Sequence, residues 1–245
     1  MNDQPNNVAD ESSLVHSMPA GNPNLIPMIV ACVVGGLVGM GIVHAIDPVF
    51  PYADLPELGL APSPELIAQH NAAQVAFRSC NYGLGLAIIG ACLGLTYGGI
   101  VSPARRLLQG VLGAIGGTVG GAVSGYFLGI LVAKLIIASE NESLLQSTGL
   151  HFATWAIIAT IIVALVALVH RRVGGLISAL TAGIATGMMA AMCYVVASSF
   201  LFADANLVKL IPEALYGRIV WVVICAGSFG IAARSVQQGK LKLTN

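Results

Sequence analysis

Apolar runs of roughly 20 residues or more, separated by short polar breaks, dominate the chain. Runs long enough to cross about 30 Å of hydrocarbon as helix lie roughly at 25–46, 80–101, 107–137, 150–169, 173–203 and 213–233. They are continuously apolar, whereas a barrel strand alternates over about ten residues. The pattern therefore predicts an all-α integral membrane protein with six transmembrane helices. The sixth run carries Arg218 near one end, and that side chain is expected to snorkel to the interface.

The breaks divide the chain further. Residues 1–24 are polar, rich in Asn, Ser and Pro, and free of Lys and Arg, which predicts a disordered tail. A signal peptide would carry basic residues ahead of its apolar core, so the first run is expected to be a retained span. Residues 47–79 form an outer loop and helix: a Pro-rich turn region gives way at Ser63-Pro64-Glu65 to a helix start. Leu66, His70, Ala73, Phe77, Cys80 and Leu84 then recur at helical spacing, so the second span is expected to project several turns beyond the bilayer. Ser139 and Glu142 give a similar start cue before the fourth span, and 237–245 form a second tail.

Composition sharpens the class. The chain is 56% apolar and 9% charged with a mean hydropathy of +0.85, where soluble domains carry about 25% charged residues. Net charge is zero, so no bulk field recruits nucleic acid. Cys32, Cys80, Cys92, Cys193 and Cys225 lack CxxC spacing and read as small apolar residues, with no disulfide framework or zinc site.

The basic residues set an orientation. Arg105 and Arg106 follow the second span, Arg171 and Arg172 follow the fourth, and Arg234, Lys240 and Lys242 follow the sixth. The opposite side holds Arg78, Lys134, Lys209 and Arg218 together with eight acids. By the positive-inside rule both termini are cytoplasmic, and the double arginines are topology determinants in preference to a lipid-phosphate site. Trp155, Trp221, Tyr82 and Tyr216 fall near the outer ends, where an aromatic belt is expected.

A shift of 66 residues superposes Gly83-Leu84 on Gly149-Leu150, Arg105-Arg106 on Arg171-Arg172, Gly117 on Gly183 and Gly121 on Gly187. Each unit is a helical hairpin of two crossings, which implies a parallel duplication about an axis along the membrane normal. The first and sixth spans read as a split third unit, with Tyr216-Gly217 set against Tyr82-Gly83.

In the third span Gly113, Gly117, Gly121, Gly125 and Gly129 recur every fourth residue, beside Gly116, Gly120 and Ser124. Such a row is a groove without side chains, along which another backbone approaches closely. Gly90, Gly94 and Gly98 form a row in the second span, Gly35 and Gly39 in the first, and Gly183 and Gly187 with Ala179 and Ala191 in the fifth. Close packing within the chain is the reading adopted; a homo-oligomer or membrane-protein interface, or a backbone-lined pore, is the alternative.

Chemistry is sparse. Mid-span regions lack Asp, Glu, Lys and Arg, against proton-coupled transport and intramembrane hydrolysis. Thr96, Thr118, Ser124, Thr160, Ser178, Thr181 and Thr186 are the mid-span polar groups, expected to satisfy carbonyls of their own helices or to bond to neighbouring ones. No phosphate-binding, zincin or nucleophile-elbow motif is present, and no cofactor is expected. No metal site is assigned either. His44, Asp47, His70 and His151 share the outer level and have ligand chemistry, but no ligand-spacing motif links them and they read as interfacial structural groups.

The segments NYGLGLAIIGACLGLTYGG and RRLLQGVLGAIGGTVGGAVSGYFLG and the hairpin around HRRVGGL resemble glycine-rich polytopic bacterial membrane proteins of unknown function, over about residues 70–200. The resemblance implies the membrane class and a bacterial cytoplasmic-membrane address, and no activity. The function expected is that of a structural or interaction component of the membrane, not an enzyme, whose partner is the lipid bilayer. The alternative is a channel or uncoupled facilitator for a small neutral solute.

Overall fold

The structure is a computed structural model that describes residues 25–101, 105–138, 143–168, 174–202 and 208–242. Among these residues it is all-helical, without strands: α1 (Leu25–Ile46), α2 (Pro64–Val101), α3 (Arg106–Ala138), α4 (Leu144–Leu168), α5 (Gly174–Leu201) and α6 (Leu215–Lys242). All six are long and apolar enough to cross a membrane.

Local chemistry sets several ends. Pro48 disfavours helical geometry at Asp47, and α1 stops at Ile46. Ser63 Oγ accepts the Leu66 N–H at 3.2 Å and Pro64 occupies the first helical position, which starts α2. No further proline interrupts α2 before Val101, so it runs 38 residues, about 57 Å, and its first turns stand clear of the other helices. The start cue at Ser139 and Glu142 lies outside the described residues; α4 itself begins at Leu144.

Each helix packs on its neighbours in sequence and α6 returns to α1, which closes a ring. Helices α2, α4 and α6 lie toward the inside: half or more of their apolar windows is buried, against 33–39% for α1, α3 and α5. The centre is filled by Leu86, Ile89 and Leu93 from α2, Trp155, Ile158 and Ile162 from α4, and Trp221, Cys225 and Phe229 from α6, all fully buried. The outward faces carry exposed rows such as Val34, Val38 and Ile42 on α1 and Val111, Ile115 and Val119 on α3.

Two expectations are corrected. Trp155 and Trp221 do not form an interfacial belt; both are fully buried with ring centroids 5.3 Å apart. Two indoles fill the space where the inner helices α4 and α6 face each other, a larger apolar gain than an interfacial position offers. Arg218 does not snorkel outward. Its side chain is 8% exposed and forms an ion pair with Asp47 at the end of α1, so burial is offset by a partner.

Above the inner helices the segment before α6 folds inward. Val208, Leu210, Ile211 and Pro212 are buried, and a β-carbon placed on Gly85 of α2 would lie 2.8 Å from Ile211 Cδ1. The loop after α1 is strapped to α2: Asn81 Oδ1 accepts the N–H groups of Val49 and Phe50, and Asn81 Nδ2 donates to the Phe50 carbonyl at 2.9 Å.

Candidate functional site

The closest helix contact is a seam between antiparallel α2 and α3. Gly90 lies against the carbonyl group of Gly117, and Gly117 against that of Gly90. Gly94 and Gly113 are paired in the same reciprocal way, while Gly98 meets the Gln109 carbonyl. Toward the C-terminal end of α3 Gly121 meets the Leu86 carbonyl, Gly125 the Tyr82 carbonyl, and Gly129 the Ser79 Cα. A methyl group at any of the first seven positions would occupy the volume of a backbone carbonyl, so van der Waals contact runs main chain to main chain.

The second glycine row of α3 faces α4. β-Carbons on Gly116 and Gly120 would sit 3.1 Å from the Cα atoms of Ile162 and Ile158. In α5, Gly183 rests on the Thr160 side chain and the Ala156 carbonyl, and Gly187 on the Phe152 carbonyl. In α1, Gly35 faces the Cys92 carbonyl and Thr96, while Gly39 faces Ile89. These rows are thus filled by helices of the same chain. Of the double arginines, Arg105 and Arg106 are exposed at the α2–α3 turn, and Arg171 and Arg172 lie outside the described residues.

The end of the bundle at which α1 finishes and α6 begins carries the polar chemistry. Arg218 Nε donates to the Pro212 carbonyl at 2.8 Å, its Nη2 pairs with Asp47, and its Nη1 lies 3.4 Å from His44 Nδ1. One guanidinium therefore joins the end of α1, the inward-folded segment and the start of α6. Beside it, Trp221 Nε1 donates to Nδ1 of the fully buried His151 at 3.4 Å, and the His151 ring stands edge-on to Tyr194 with centroids 4.8 Å apart. Donation into Nδ1 assigns the His151 proton to Nε2. His70 is elsewhere: its Nε2 lies 2.8 Å from the Pro56 carbonyl, and its own carbonyl accepts from the Tyr52 hydroxyl.

His44, His70 and His151 are therefore not gathered into one site, and among the described residues no group of three His, Cys, Asp or Glu side chains could hold a metal. His44 and Asp47 do meet, but around a fixed cation. Nearby, Lys209 Nζ stands 2.6 Å from Glu213 and its hydrogen bond holds that carboxyl below the usual glutamate range.

Sequence reasoning singled out Asp47 and Arg218 separately and passed over Asn81. For Asn81 a signal was present, an amide at an apolar helix position opposite a turn region with backbone N–H groups to satisfy; nothing in the sequence picked Asp47 out of the eight acids on that side as the partner of Arg218. No protein-family model, no curated protein and no solved structure matches this chain, so fold and site rest on its own residues.

Proposed function

We propose that the chain is a multi-pass protein of the cytoplasmic membrane, with both termini cytoplasmic, that acts as a structural or interaction component and not as an enzyme. The observation that carries this reading is where the mid-span hydroxyls turn. Thr96 donates to the Leu93 carbonyl at 2.9 Å, Thr118 to Ala114 at 2.8 Å, Thr181 to Ile177 at 2.9 Å and Thr186 to Ala182 at 2.7 Å, each within its own helix. Hydroxyls spent in this way do not line a path for solute. The filled centre between α2, α4 and α6 supports the same reading, and the exposed apolar rows suit hydrocarbon as the surrounding medium.

The hairpins α2–α3 and α4–α5 are a parallel repeat in this reading. Its support is pairwise: Gly117 on Gly90 and Gly121 on Leu86 have counterparts 66 residues later in Gly183 on Ala156 and Gly187 on Phe152. Orientation rests on the arginines, and cysteine accessibility that placed the Arg105 loop outside would reverse it.

Purification in mild detergent paired with flux into liposomes tests the function. A stoichiometric membrane-protein partner, or a homo-oligomer, with no flux of small neutral solutes above empty vesicles is the expected outcome. Solute flux from the protein alone would replace this reading with that of a facilitator.

A further inference from the structure

Alongside the α2–α3 seam two depressions follow one another. The deeper one, about 480 Å³, is lined mainly by apolar or small residues including Gly83, Ala87, Ala122 and Phe127. The outer one, about 620 Å³, adds Asn71 and Lys134 to a lining of Ala, Val and Ile side chains. Ser79 and Tyr126 line both, so they form one groove. Its cause is the seam itself: glycine contacts draw the two helix axes together, and small residues beside the contact leave a trough that Phe127, 64% exposed, borders on the outside.

From Ala87 to Asn71 the groove follows 16 residues of α2, about 24 Å, and the part between Ala87 and Ser79 is about 12 Å long. Half the thickness of a hydrocarbon core is about 15 Å. The apolar part thus approaches one leaflet in length, and the outer part, with the Lys134 ammonium, the Asn71 amide and the Tyr126 hydroxyl, falls where a headgroup would lie. A long apolar trough that ends at a cation complements an acyl chain that ends at a phosphate.

We propose that this groove holds one phospholipid of the outer leaflet, with an acyl chain against Gly83, Ala87 and Ala122 and its phosphate at Lys134. The inference rests on the membrane reading above, and its test separates the two. Protein reconstituted with phosphatidylglycerol is first floated with its vesicles after an alkaline wash; a chain that fails to float overturns the membrane reading and the inference with it. Floated protein is then extracted in mild detergent and its retained lipid counted by native mass spectrometry.

One phosphatidylglycerol per chain is expected for the wild type. Retention should fall about tenfold for Lys134→Glu, for Ala122→Phe, and when diacylglycerol, which lacks the phosphate, replaces the phospholipid. Lys134→Arg should restore it, and unchanged melting of each variant in detergent separates lipid loss from unfolding. Equal retention of phosphatidylglycerol and diacylglycerol, or undiminished retention by a folded Lys134→Glu, overturns the groove and leaves an annular lipid only.

Discussion

At Gly121 the space for a β-carbon is already taken by the Leu86 carbonyl group, which belongs to a helix and cannot swing aside as a side-chain tip could. Gly121→Leu must therefore push α2 and α3 apart along the whole seam, at a cost above the ~1–3 kcal/mol of ordinary overpacking. Leu128 is only partly buried at the edge of the core, so Leu128→Ala should cost less than about 2 kcal/mol. Melting curves in one detergent compare them, and equal losses would refute the seam as the main cohesive element. Arg218 poses the opposite problem, a charge that must keep its partner. Asp47→Ala leaves the buried guanidinium with only neutral neighbours, the Pro212 carbonyl and the His44 ring, and should destabilise by about 3 kcal/mol, less to the extent that the 31% exposed Asp47 is already solvated. The double change with Arg218→Leu should recover part of that loss; strict additivity in the cycle would deny the coupling. The glycine row was legible because a period of four in glycine has few other readings. The ion pair was not, since its members stand 171 positions apart and only the fold brings them together.

At the scale of elements, hydropathy located all six helices because each must satisfy its backbone internally over some twenty apolar residues. Boundaries were legible only where a proline or a cap stood, as at Pro48 and Ser63. Helix α4 begins at Leu144, ahead of the apolar run, and α6 continues to Lys242 well beyond it, since a helix can run on through polar residues that leave no mark in the hydropathy pattern. Which face each helix turned inward was less legible: Trp155 and Trp221 follow the apolar pattern of either a belt or a core, and only the convergence of α4 and α6 decides between them. The hydroxyls give this scale its own prediction. Thr186 is buried, and its Oγ1 bonds to the Ala182 carbonyl of the same helix. Because that carbonyl keeps its backbone partner when the hydroxyl is removed, Thr186→Val should change stability by less than about 1 kcal/mol. A loss above about 2 kcal/mol in thermal melting would mean that the hydroxyl serves a neighbouring helix or a bound water instead.

Over the whole molecule the proposed repeat of 66 residues can be followed through buried positions of the inner helices. Ile89, Trp155 and Trp221 stand at successive intervals of that length, as do Leu93, Ala159 and Cys225, and Tyr97, Val163 and Phe229; all nine are buried, and the Tyr97 and Phe229 rings meet at 5.1 Å. This register sets Gly217 level with Gly85, two residues from the Gly83 alignment suggested by the Tyr-Gly pairs. If α6 and α1 are the third hairpin, cut by the chain ends, then α1 belongs after α6. Helix α6 passes the start of α1, where a β-carbon on Gly230 would lie 3.0 Å from the Ile29 Cα, and runs on twelve residues, about 18 Å, to Lys242. Twenty-four residues precede α1, and a chain of that length can span up to about 80 Å, ample to reach the end of α6. A permutant that links Asn245 to Met1 and opens between Gly59 and Leu60, a fully exposed point of the α1–α2 loop, keeps Asn81 on its strap and leaves three intact hairpins. It should retain helical content in detergent and melt within about 5 °C of the wild type, roughly the shift that ~1–2 kcal/mol produces in a protein of this size. A permutant opened between Arg105 and Arg106 splits the α2–α3 seam across the chain ends and should melt far lower. Were the two to melt alike, the hairpin would not be the unit from which this ring is built.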